Sequence, residues 1–360
     1  MNIGFDAKRY FHNKSGLGNY SRDLVNSLIK LHPANKYYLF DPSPSTLNLP
    51  PNTIAAVPQH NSVFWRIKGI QKDIELHKID IYHGLSNELP FGRWPEKTKK
   101  IVTIHDVIFR LFPTHYSVLD REIYHQKTKH AIKVADHVVA TSQSTADDLV
   151  KLYGLQEDKL SVIYQTCGEG HWKSYSQDAL ISFAFNKRLP SKFALYVSSF
   201  QTRKNHLQLL KGLKASGLKD FNLVLAGKRG ETLTQCHQYV LENGLSKQVL
   251  FLNDLQNAEL PLLYRCASSF IYPSMVEGFG IPLIEAACAG LPLAVNDISV
   301  FRELAPVGAL KFNASDEISI ADTILHLSKM EKLDYSNYLE KFKTEYATEK
   351  MYALYSSLVS

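Results

Sequence analysis

Residues 274–292 read SMVEGFGIPLIEAACAGLP, and they continue the apolar run SSFIYPS at 268–274. The run predicts a buried strand, MVEGFG predicts a turn, and Pro282 suits the first residue of a helix. This arrangement places Glu285 in the first helical turn and Gly290 close to the helix end. A buried strand, a glycine turn and a helix form the repeating unit of an α/β protein, and similar units recur along the chain.

Apolar runs alternate with helical patterns on both sides of this unit. The runs are continuously apolar, which is typical of parallel strands covered by helices on both faces. The predicted strands are NIGFD, KYYLF, DIYHG, KIVTIHD, HVVATS and LSVIY in the first half, and FALYVSS, FNLVLAG, VLFLND, SSFIYPS and LPLAVND in the second. Between the halves, from about Thr166 to Lys192, a polar stretch predicts a linker.

The sequence therefore predicts an α/β fold of two Rossmann-like, doubly wound domains that face each other across a cleft. The predicted domains are residues 1–168 and 169–344, and a closing helix at about 345–360 could pack on either of them. In open sheets of this kind, ligands bind beyond the carboxyl ends of the strands. Functional residues are therefore expected in the strand-to-helix turns.

Composition limits the possible partners. The 360 residues carry a formal net charge of +6, with 21% charged residues. This excess is small for a nucleic-acid-binding protein, but it suits an anionic small ligand or weak attraction to an anionic membrane surface. The four cysteines form no CxxC pair, the N-terminal MNIGFDAKRY has no signal-peptide pattern, and no apolar run approaches the ~20 residues of a membrane-spanning helix. We expect a cytoplasmic protein with reduced thiols.

One segment, SVFWRIKGIQKDIEL at 62–76, mixes aromatic and basic residues at helical spacing. A helix that faces the core fits this pattern better than a helix that contacts a membrane. Peripheral contact with the inner face of the cell membrane is kept as the alternative to a wholly cytoplasmic protein.

The turn at 277–281 has the chemistry of a phosphate site. The backbone amides of GFGI lie at the start of a helix, where the helix dipole favours an anion. Glu277 and Glu285 flank these amides; carboxylates repel phosphate but accept hydrogen bonds from sugar hydroxyls. The pattern indicates a pyrophosphate with a sugar held by a carboxylate on either side. The alternative is that Glu285 only favours the helix dipole and that Glu277 is a solvated loop residue.

A basic turn follows the predicted strand FALYVSS. Arg203 and Lys204, in FQTRKNHLQLL, begin the next predicted helix, where positive charge opposes the helix dipole. An anion bound nearby would explain these cations. A surface pair without a ligand is the alternative.

Three turns of the first half are further candidates. SGLGNYSRDL follows the first strand with a GxG turn that could let the backbone approach a diphosphate or an acceptor, or could be a simple tight turn. This turn is formed by Gly16, Leu17 and Gly18. TIHDVIF places His105 and Asp106 at a strand end, although a histidine there is more often a satisfied structural residue. HGLSNELP places Asn87 in a strand-end loop that could form an acceptor-side wall.

In their order and spacing, these pieces resemble the group 1 glycosyltransferases (glycosyltransferase family 4), a retaining family with the GT-B fold. The resemblance covers nearly the whole chain. SGLGNYSRDL is similar to the family's N-terminal glycine loop, TIHDVIFRLFPTHYS to its His-Asp stretch, FQTRKN to its basic turn, and PSMVEGFGIPLIEAACAGLP to its EX7E signature. The members that it resembles are mannosyltransferase-like enzymes of bacterial surface polysaccharide synthesis, such as O-antigen or capsule.

The resemblance implies an acceptor-binding first domain, joined by the last helix, and a nucleotide-sugar-binding second domain. It implies that Glu277 holds hydroxyls of the transferred sugar, that Lys204 and Arg203 neutralise the leaving diphosphate, and that His105 lines the transferred-sugar site. Asn87 and Asp106 would contact the acceptor. The implied donor-binding residues are Glu285 at the ribose, Gly278, Phe279, Gly280 and Ile281 at the phosphates, Ser199 and Gly227 at strand ends, and Asn253 and Leu255 near the base.

The sequence departs from the family pattern at one place. Many members have an arginine about five residues before the lysine, where this chain has Ser198 and Ser199; Arg203 could supply that charge instead. The chain contains no DxD triplet, so cations and the helix start are expected to replace a metal in a hexosyl transfer (EC 2.4.1.-) without a cofactor. The expected donor is a GDP- or UDP-sugar, with GDP-mannose as the first guess, and the expected acceptor is a glycan or a lipid-linked saccharide.

Two other functions fit the same architecture. A nucleotide-sugar epimerase would need acid and base residues around the sugar and no acceptor. A non-catalytic sugar-nucleotide-binding protein would not need the glutamates and the lysine together. A Rossmann dehydrogenase fits less well, because no GxGxxG motif follows a strand.

Overall fold

The computed structural model describes residues 1–44, 49–58 and 65–359. The chain divides into two compact units. We call Met1–Thr166 with Lys341–Ser360 the N-terminal unit, and Cys167–Glu340 the C-terminal unit. The sequence predicts these boundaries at residues 168 and 344, within a few positions of the observed ones.

The N-terminal unit is built on a parallel sheet of seven strands in the order β3-β2-β1-β4-β5-β6-β7. The strands are β1 (Asn2–Asp6), β2 (Lys36–Phe40), β3 (Thr53–Ala56), β4 (Ile81–Gly84), β5 (Lys99–Ile104), β6 (His137–Ala140) and β7 (Leu160–Val162). The helices are α1 (Lys8–His12), α2 (Gly16–Leu31), α3 (Trp65–Lys68), α4 (Gln71–Leu76), α5 (Ile108–Leu111), α6 (Val118–Val134), α7 (Gln143–Tyr153) and, at the end of the chain, α16 (Thr344–Val359).

The C-terminal unit is built on a parallel sheet of six strands in the order β10-β9-β8-β11-β12-β13. The strands are β8 (Ala194–Val197), β9 (Leu223–Ala226), β10 (Val249–Leu252), β11 (Ser269–Tyr272), β12 (Leu293–Asn296) and β13 (Leu310–Phe312). The helices are α8 (Gln177–Asn186), α9 (His206–Ser216), α10 (Leu233–Glu242), α11 (Leu260–Cys266), α12 (Ile281–Cys288), α13 (Ser299–Leu304), α14 (Glu317–Leu327) and α15 (Ser336–Leu339).

Each sheet has a topological switch point. The chain builds one half of the sheet outward, then returns to the middle and builds the other half. The switch lies between β1 and β4 in the N-terminal unit and between β8 and β11 in the C-terminal unit. In open α/β sheets, a crevice forms at the carboxyl ends of such neighbouring strands and accepts ligands.

The predicted α/β class and all eleven predicted strands are confirmed. Two further strands, β3 and β13, were not predicted. The prediction of a linker over residues 166–192 is wrong, because α8 lies within it and belongs to the C-terminal unit. Only Phe183 of α8 is buried, so the helix has no apolar periodicity that would mark it.

Helix α16 packs on the N-terminal unit. Its Tyr355 is fully buried, the ring of Tyr352 stacks on His32 with centroids 3.5 Å apart, and the Thr348 hydroxyl donates to Ser27 Oγ at 2.9 Å. α16 therefore packs beside α2, and its buried Tyr355 belongs to the same apolar cluster as residues of β1, β2 and α2. The closing helix is thus part of the N-terminal core.

The segment at 62–76 is core-facing over its described part. Trp65, Ile70 and Ile74 are at most 4% exposed, as the preferred prediction required. Its residues 62–64 lie outside the described ranges. Across 1–44, 49–58 and 65–359, none of the helices has both the length and the apolar character needed to cross a membrane.

Candidate functional site

The turn after β11 leads into α12 through a strained glycine. Gly280 precedes the first helical residue, Ile281, and has φ +101°, a conformation that side-chain-bearing residues rarely adopt. A Cβ there would lie 2.8 Å from Phe301 Cε1. Glu285 is the fifth residue of α12, so the prediction that it lies in the first turn is wrong. The helix dipole therefore does not account for Glu285, because its effect is confined to the first turn.

The basic turn after β8 precedes a helix rather than beginning it. Thr202–Lys204 form a 3-10 turn, and Asn205 adopts a left-handed conformation with φ 63° before α9 starts. The carbonyl of Arg203 accepts the backbone N–H of Met275 at 2.9 Å, and the Asn205 amide donates to the carbonyl of Ala314 at 2.8 Å. The first bond holds the β8 and β11 turns together at the switch point, and the second joins the β8 turn to the loop after β13.

Lys204 and Glu277 form a buried ion pair in this place. The Lys204 ammonium donates to Glu277 Oε1, which also accepts the hydroxyl of Tyr272 at 2.9 Å. Arg203 Nη1 lies 3.8 Å from the other carboxylate oxygen, Oε2. The side chains of Lys204 and Glu277 are only 10% and 9% exposed. The alternatives of a solvated Glu277 and of a purely surface pair of cations are therefore wrong.

The charges of this cluster are well defined. Burial by itself would raise the pKa of Glu277, but the nearby charges of Lys204 and Arg203 outweigh it and lower that pKa. Burial, with a smaller contribution from Lys204, lowers the pKa of His206 to about 3, so this imidazole is neutral. Two cations therefore face one carboxylate, and the excess positive charge favours an anion.

Glu285 is held by two side chains that the sequence analysis did not single out. The Tyr264 hydroxyl donates to Glu285 Oε2 at 2.7 Å, and His171 Nε2 lies 3.4 Å from Oε1. Burial and then the charge of Glu285 raise the pKa of Tyr264 well above its usual value, so the phenol remains a donor. The carboxylate is therefore fixed in orientation.

The remaining donor-side candidates lie at the carboxyl edge of the same sheet. Gly227 follows β9 with φ +154°, and a Cβ there would lie 1.8 Å from the carbonyl oxygen of Ser198. This close approach packs the turn that contains Ser199 against the next strand end. Asn253 and Leu255 follow β10, and Asn253 Oδ1 is buried without a hydrogen-bond partner among the described residues. An unpaired buried acceptor of this kind is available to a ligand N–H.

In the N-terminal unit, a cavity of about 220 Å³ brings the predicted residues together. It lies at the carboxyl ends of β4 and β5, beside the switch point. The predicted residues that line it are Leu17, Asn87, His105 and Asp106. The other lining residues are Arg9, Ser86, Glu88, Phe109, Tyr116, Tyr124, Lys127 and Thr128.

His105 uses both ring nitrogens within the N-terminal unit. Nε2 lies 2.8 Å from the carbonyl oxygen of Leu85 and must carry the proton, and Nδ1 lies 2.8 Å from the Gln165 amide nitrogen, which can donate to it. Burial lowers the pKa of His105 to about 4, so the ring is neutral. This is the satisfied histidine of the structural alternative, and only its ring surface is available to a ligand in the cavity.

The glycine loop is the start of α2. A Cβ on Gly18 would lie 1.8 Å from the carbonyl oxygen of Asn13, whereas a Cβ on Gly16 would meet nothing within 4 Å. Asn13 Oδ1 also accepts the backbone N–H of Ser15 at 2.7 Å. Gly18 therefore permits the chain to approach itself closely, and Leu17 is the residue of this loop that lines the cavity.

Within the described ranges, no group of three or more His, Cys, Asp or Glu side chains is arranged to hold a metal ion. Lys204, Arg203 and Glu277 are gathered in the C-terminal unit. His105, Asn87 and Asp106 are gathered in the N-terminal unit.

Two protein-family models match most of the chain. The model described as "Glycosyl transferases group 1" matches residues 178–345. The model described as "Glycosyltransferase Family 4" matches residues 14–166. Each match falls within one of the two compact units, apart from a few residues at 341–345.

Several curated proteins are similar in sequence. The O-antigen chain mannosyltransferase RfbU of Salmonella typhimurium is 28% identical over 250 residues, which cover 69% of this chain and 67% of that protein. The O-antigen chain mannosyltransferase B of Escherichia coli is 25% identical, over 69% of this chain and 65% of that protein. The GDP-mannose:cellobiosyl-diphosphopolyprenol alpha-mannosyltransferase of Xanthomonas campestris is 27% identical, over 64% and 57%. The chain thus spans about two thirds or less of these relatives.

Solved structures share the whole fold. HepE of Anabaena in complex with UDP-glucose has a TM-score of 0.76 at 16% identity, over 99% of this chain and 100% of that one. Sucrose-phosphate synthase from Thermosynechococcus elongatus has a TM-score of 0.75 at 17% identity, over 99% of both chains. At these identities the likeness shows the fold alone.

Proposed function

This chain belongs to the group 1 glycosyltransferases of family 4 and has their GT-B fold, and on that premise we propose that it is a retaining hexosyltransferase. The proposed reaction moves mannose from a nucleoside diphosphate sugar to a glycan or a lipid-linked saccharide in bacterial surface polysaccharide synthesis. The observation that supports it most is the buried Lys204–Glu277 pair, with Arg203 beside it, at the switch point between β8 and β11.

In the proposed mechanism, the leaving diphosphate lies at the amino end of α12. Lys204 and Arg203 stabilise the charge that develops as the bond between the sugar carbon and the phosphate oxygen breaks. The acceptor hydroxyl attacks the same face of the sugar and forms the new glycosidic bond, and its proton passes to the departing phosphate. The anomeric configuration is thereby retained, and the enzyme acts through positioning and electrostatics.

The two glutamates have separate proposed roles. Glu277 Oε1 is occupied by Lys204 and Tyr272, so the transferred sugar binds through Oε2, which is 3.8 Å from Arg203 Nη1. Glu285 accepts a ribose hydroxyl, in an orientation that Tyr264 and His171 hold. A carboxylate with one oxygen already bound presents the other in a defined direction.

The proposed donor is GDP-mannose. All three sequence relatives described above are named mannosyltransferases, and the name of one of them includes GDP-mannose; these names support the proposal. The unpaired Oδ1 of Asn253 can accept an N–H from guanine and equally from uracil, so it does not distinguish the two bases. The structure bound to UDP-glucose shares only the fold.

A thermal-shift comparison tests the donor. GDP should raise the melting temperature of the protein more than UDP or ADP, because a ligand that binds only the folded state stabilises it by about 2.7 kcal/mol at a hundred times its Kd. If UDP raises the melting temperature most, the base of the donor is uracil rather than guanine. No shift with any nucleoside diphosphate would contradict the nucleotide-sugar site.

The reaction itself is tested by incubating GDP-mannose with and without a saccharide acceptor. Transfer that requires the acceptor supports the proposal. An epimerised sugar nucleotide formed without acceptor would identify the epimerase alternative. If the donor is neither transferred, epimerised nor hydrolysed, the non-catalytic binding protein is the better account.

We also propose that the transfer needs no metal ion. Lys204 and Arg203 supply the positive charge that a bound metal would otherwise place on the diphosphate. Activity should survive an excess of EDTA with little change in kcat. Complete loss with EDTA, followed by recovery with manganese, would contradict the metal-independent mechanism.

We propose a cytoplasmic location with peripheral contact to the inner membrane face through α6. Val118 and Leu119 are 72% and 71% exposed, and Ile123, one turn after Leu119, is 42% exposed. Lys129 and Lys133 are exposed farther along the same helix. Apolar side chains beside basic ones suit an anionic bilayer, in which the apolar groups enter the interface and the lysines face anionic lipids. Tyr124 of this helix lines the N-terminal cavity, so the contact would place that cavity near a lipid-linked acceptor.

Sedimentation with vesicles tests this contact. The double variant L119S/I123S should bind vesicles of phosphatidylcholine and phosphatidylglycerol about tenfold more weakly than the parent protein, because two apolar side chains no longer leave water. F185S is the control, since Phe185 on α8 is 82% exposed. Equal vesicle binding by the parent protein and the double variant would contradict the proposal. It would also be contradicted if the double variant lost self-association but bound vesicles as the parent protein does.

A further inference from the structure

The charged side chains in and around the N-terminal cavity differ in whether they have a bonding partner within the chain. Lys127 Nζ lies 3.2 Å from Glu88 Oε1, and Arg66 Nη1 lies 3.3 Å from Glu88 Oε2. Asp106 accepts the backbone N–H of Ile108 at 3.1 Å. These groups are therefore neutralised or bonded by the chain itself.

Arg9 differs from them. It follows β1 directly, on the one-turn helix α1, and its side chain lines the cavity. Its Nε is buried and has no hydrogen-bond partner among the residues that the structure describes. A buried donor without a partner is unfavourable, and native structures rarely keep one without a function or a bound molecule.

Arg9 also lies close to the residues of the proposed acceptor site. Burial is the main cause of the low pKa of His105, and the positive charge of Arg9 lowers it further. His105 has both nitrogens bonded, and the Asn87 side chain is bonded through its amide nitrogen to the Asp106 carbonyl and through its oxygen to the His105 N–H, each at 2.9 Å. Arg9 Nε thus lacks a hydrogen-bond partner among the described residues, whereas its neighbours His105 and Asn87 are already bonded within the chain.

We infer that Arg9 binds an anionic oxygen group, a phosphate or a carboxylate, on a substrate held in this cavity. A planar guanidinium matches either group through paired N–H···O contacts, which are stronger than neutral hydrogen bonds. The group has two sources, the diphosphate of the donor or an acidic group on the acceptor, such as a uronate or a lipid-linked phosphate. The assignment of the anionic group to the donor or to the acceptor rests on the proposed function. The binding of an anion by Arg9 does not.

The first test needs no enzymatic activity. In protein labelled with ¹⁵N-arginine, the Arg9 Nε–H signal is identified by its absence from R9K. Titration with inorganic phosphate or with methyl glucuronide should shift this signal, and titration with the neutral methyl glucoside should not. The Nε–H of Arg110, exposed on α5 and outside the cavity lining, is the internal control. If neither anion shifts Arg9 more than Arg110, the inference is wrong.

Kinetics of R9Q then identify the source. A rise of about tenfold or more in the KM for the donor alone, the size expected for losing a charged hydrogen bond, assigns the anion to the donor diphosphate. The same rise for the acceptor alone assigns it to an acidic acceptor group. R110Q should match the parent protein in both constants, and unchanged constants in R9Q would overturn a substrate role for Arg9. A protein that binds the anions but transfers no sugar would refute the proposed function and leave the anion site intact.

Discussion

Replacing Lys204 by alanine should lower kcat/KM for the donor by about 100-fold or more, the size expected when one preorganised electrostatic contact to a developing charge is lost. Lys204 is only 10% exposed, so its ammonium acts in surroundings where water screens charge weakly. K211A on α9 is the matched control, because Lys211 is 36% exposed and pairs with Glu317 at 3.3 Å. It should transfer sugar at the parent rate.

The same substitution also removes half of a buried ion pair. Glu277 would then keep only Arg203, whose Nη1 lies 3.8 Å from Oε2, so the fold should be destabilised by up to roughly 3–5 kcal/mol, which could by itself lower activity. The double variant K204M/E277Q separates the two effects, since it removes both charges of the buried pair, and the remaining cation, Arg203, is 22% exposed and can be solvated. Its melting temperature should recover most of the loss seen in K204A, while transfer stays low. Transfer that recovers together with stability, or near-parental transfer in K204A, would remove the assignment.

Gly18→Ala should destabilise the N-terminal unit by about 1–3 kcal/mol or more, because the new methyl group would lie 1.8 Å from the carbonyl oxygen of Asn13. Both contacting groups belong to backbone near the start of α2, so neither can rotate away. Gly16→Ala is the matched control, since a Cβ there meets nothing within 4 Å and alanine favours a helix over glycine. Urea unfolding measures the difference between the two variants.

The outcome also decides between two accounts of the glycine loop. If G18A unfolds at lower urea and G16A keeps both stability and transfer, Gly18 serves the close approach of the chain to itself. If G18A is as stable as the parent protein, the predicted clash is wrong. A stable G16A that loses transfer would instead show that the backbone at Gly16 approaches a substrate.

Most of the fold was predictable from local pattern. Continuous apolar runs identified eleven strands, because a parallel strand covered on both faces requires apolar residues at successive positions. β3 escaped since two of its four residues are alanines, which have low strand propensity, and β13 since Lys311 interrupts its apolar run. α8 escaped since a helix with one buried residue has no periodicity to detect. The strand order, and with it the two switch points, followed only from the assembled sheets.

For the candidate site, the sequence predicted the positions of the residues but not the contacts between them. Glycine turns and polar residues after apolar runs indicated where Lys204, Glu277 and Glu285 would lie, because ligands bind at the carboxyl ends of parallel strands. The sequence pattern does not indicate that Lys204 and Glu277 pair directly. That contact joins residues 73 positions apart and depends on the left-handed Asn205 and on the backbone bond between Met275 and Arg203.

By itself, the sequence determined the α/β class, the order of strands along the chain and the turns that hold the functional residues, because each follows from residues close together in the chain. Only the tertiary structure decided which side chains are already bonded within the chain, such as His105 to Gln165 and Glu285 to Tyr264. It also decided which buried polar atoms, among them Nε of Arg9 and Oδ1 of Asn253, lack a partner among the described residues. Hydrogen bonds form or fail over a few tenths of an ångström between groups that are distant in sequence. Their pairing is therefore set by packing and leaves no pattern in the chain.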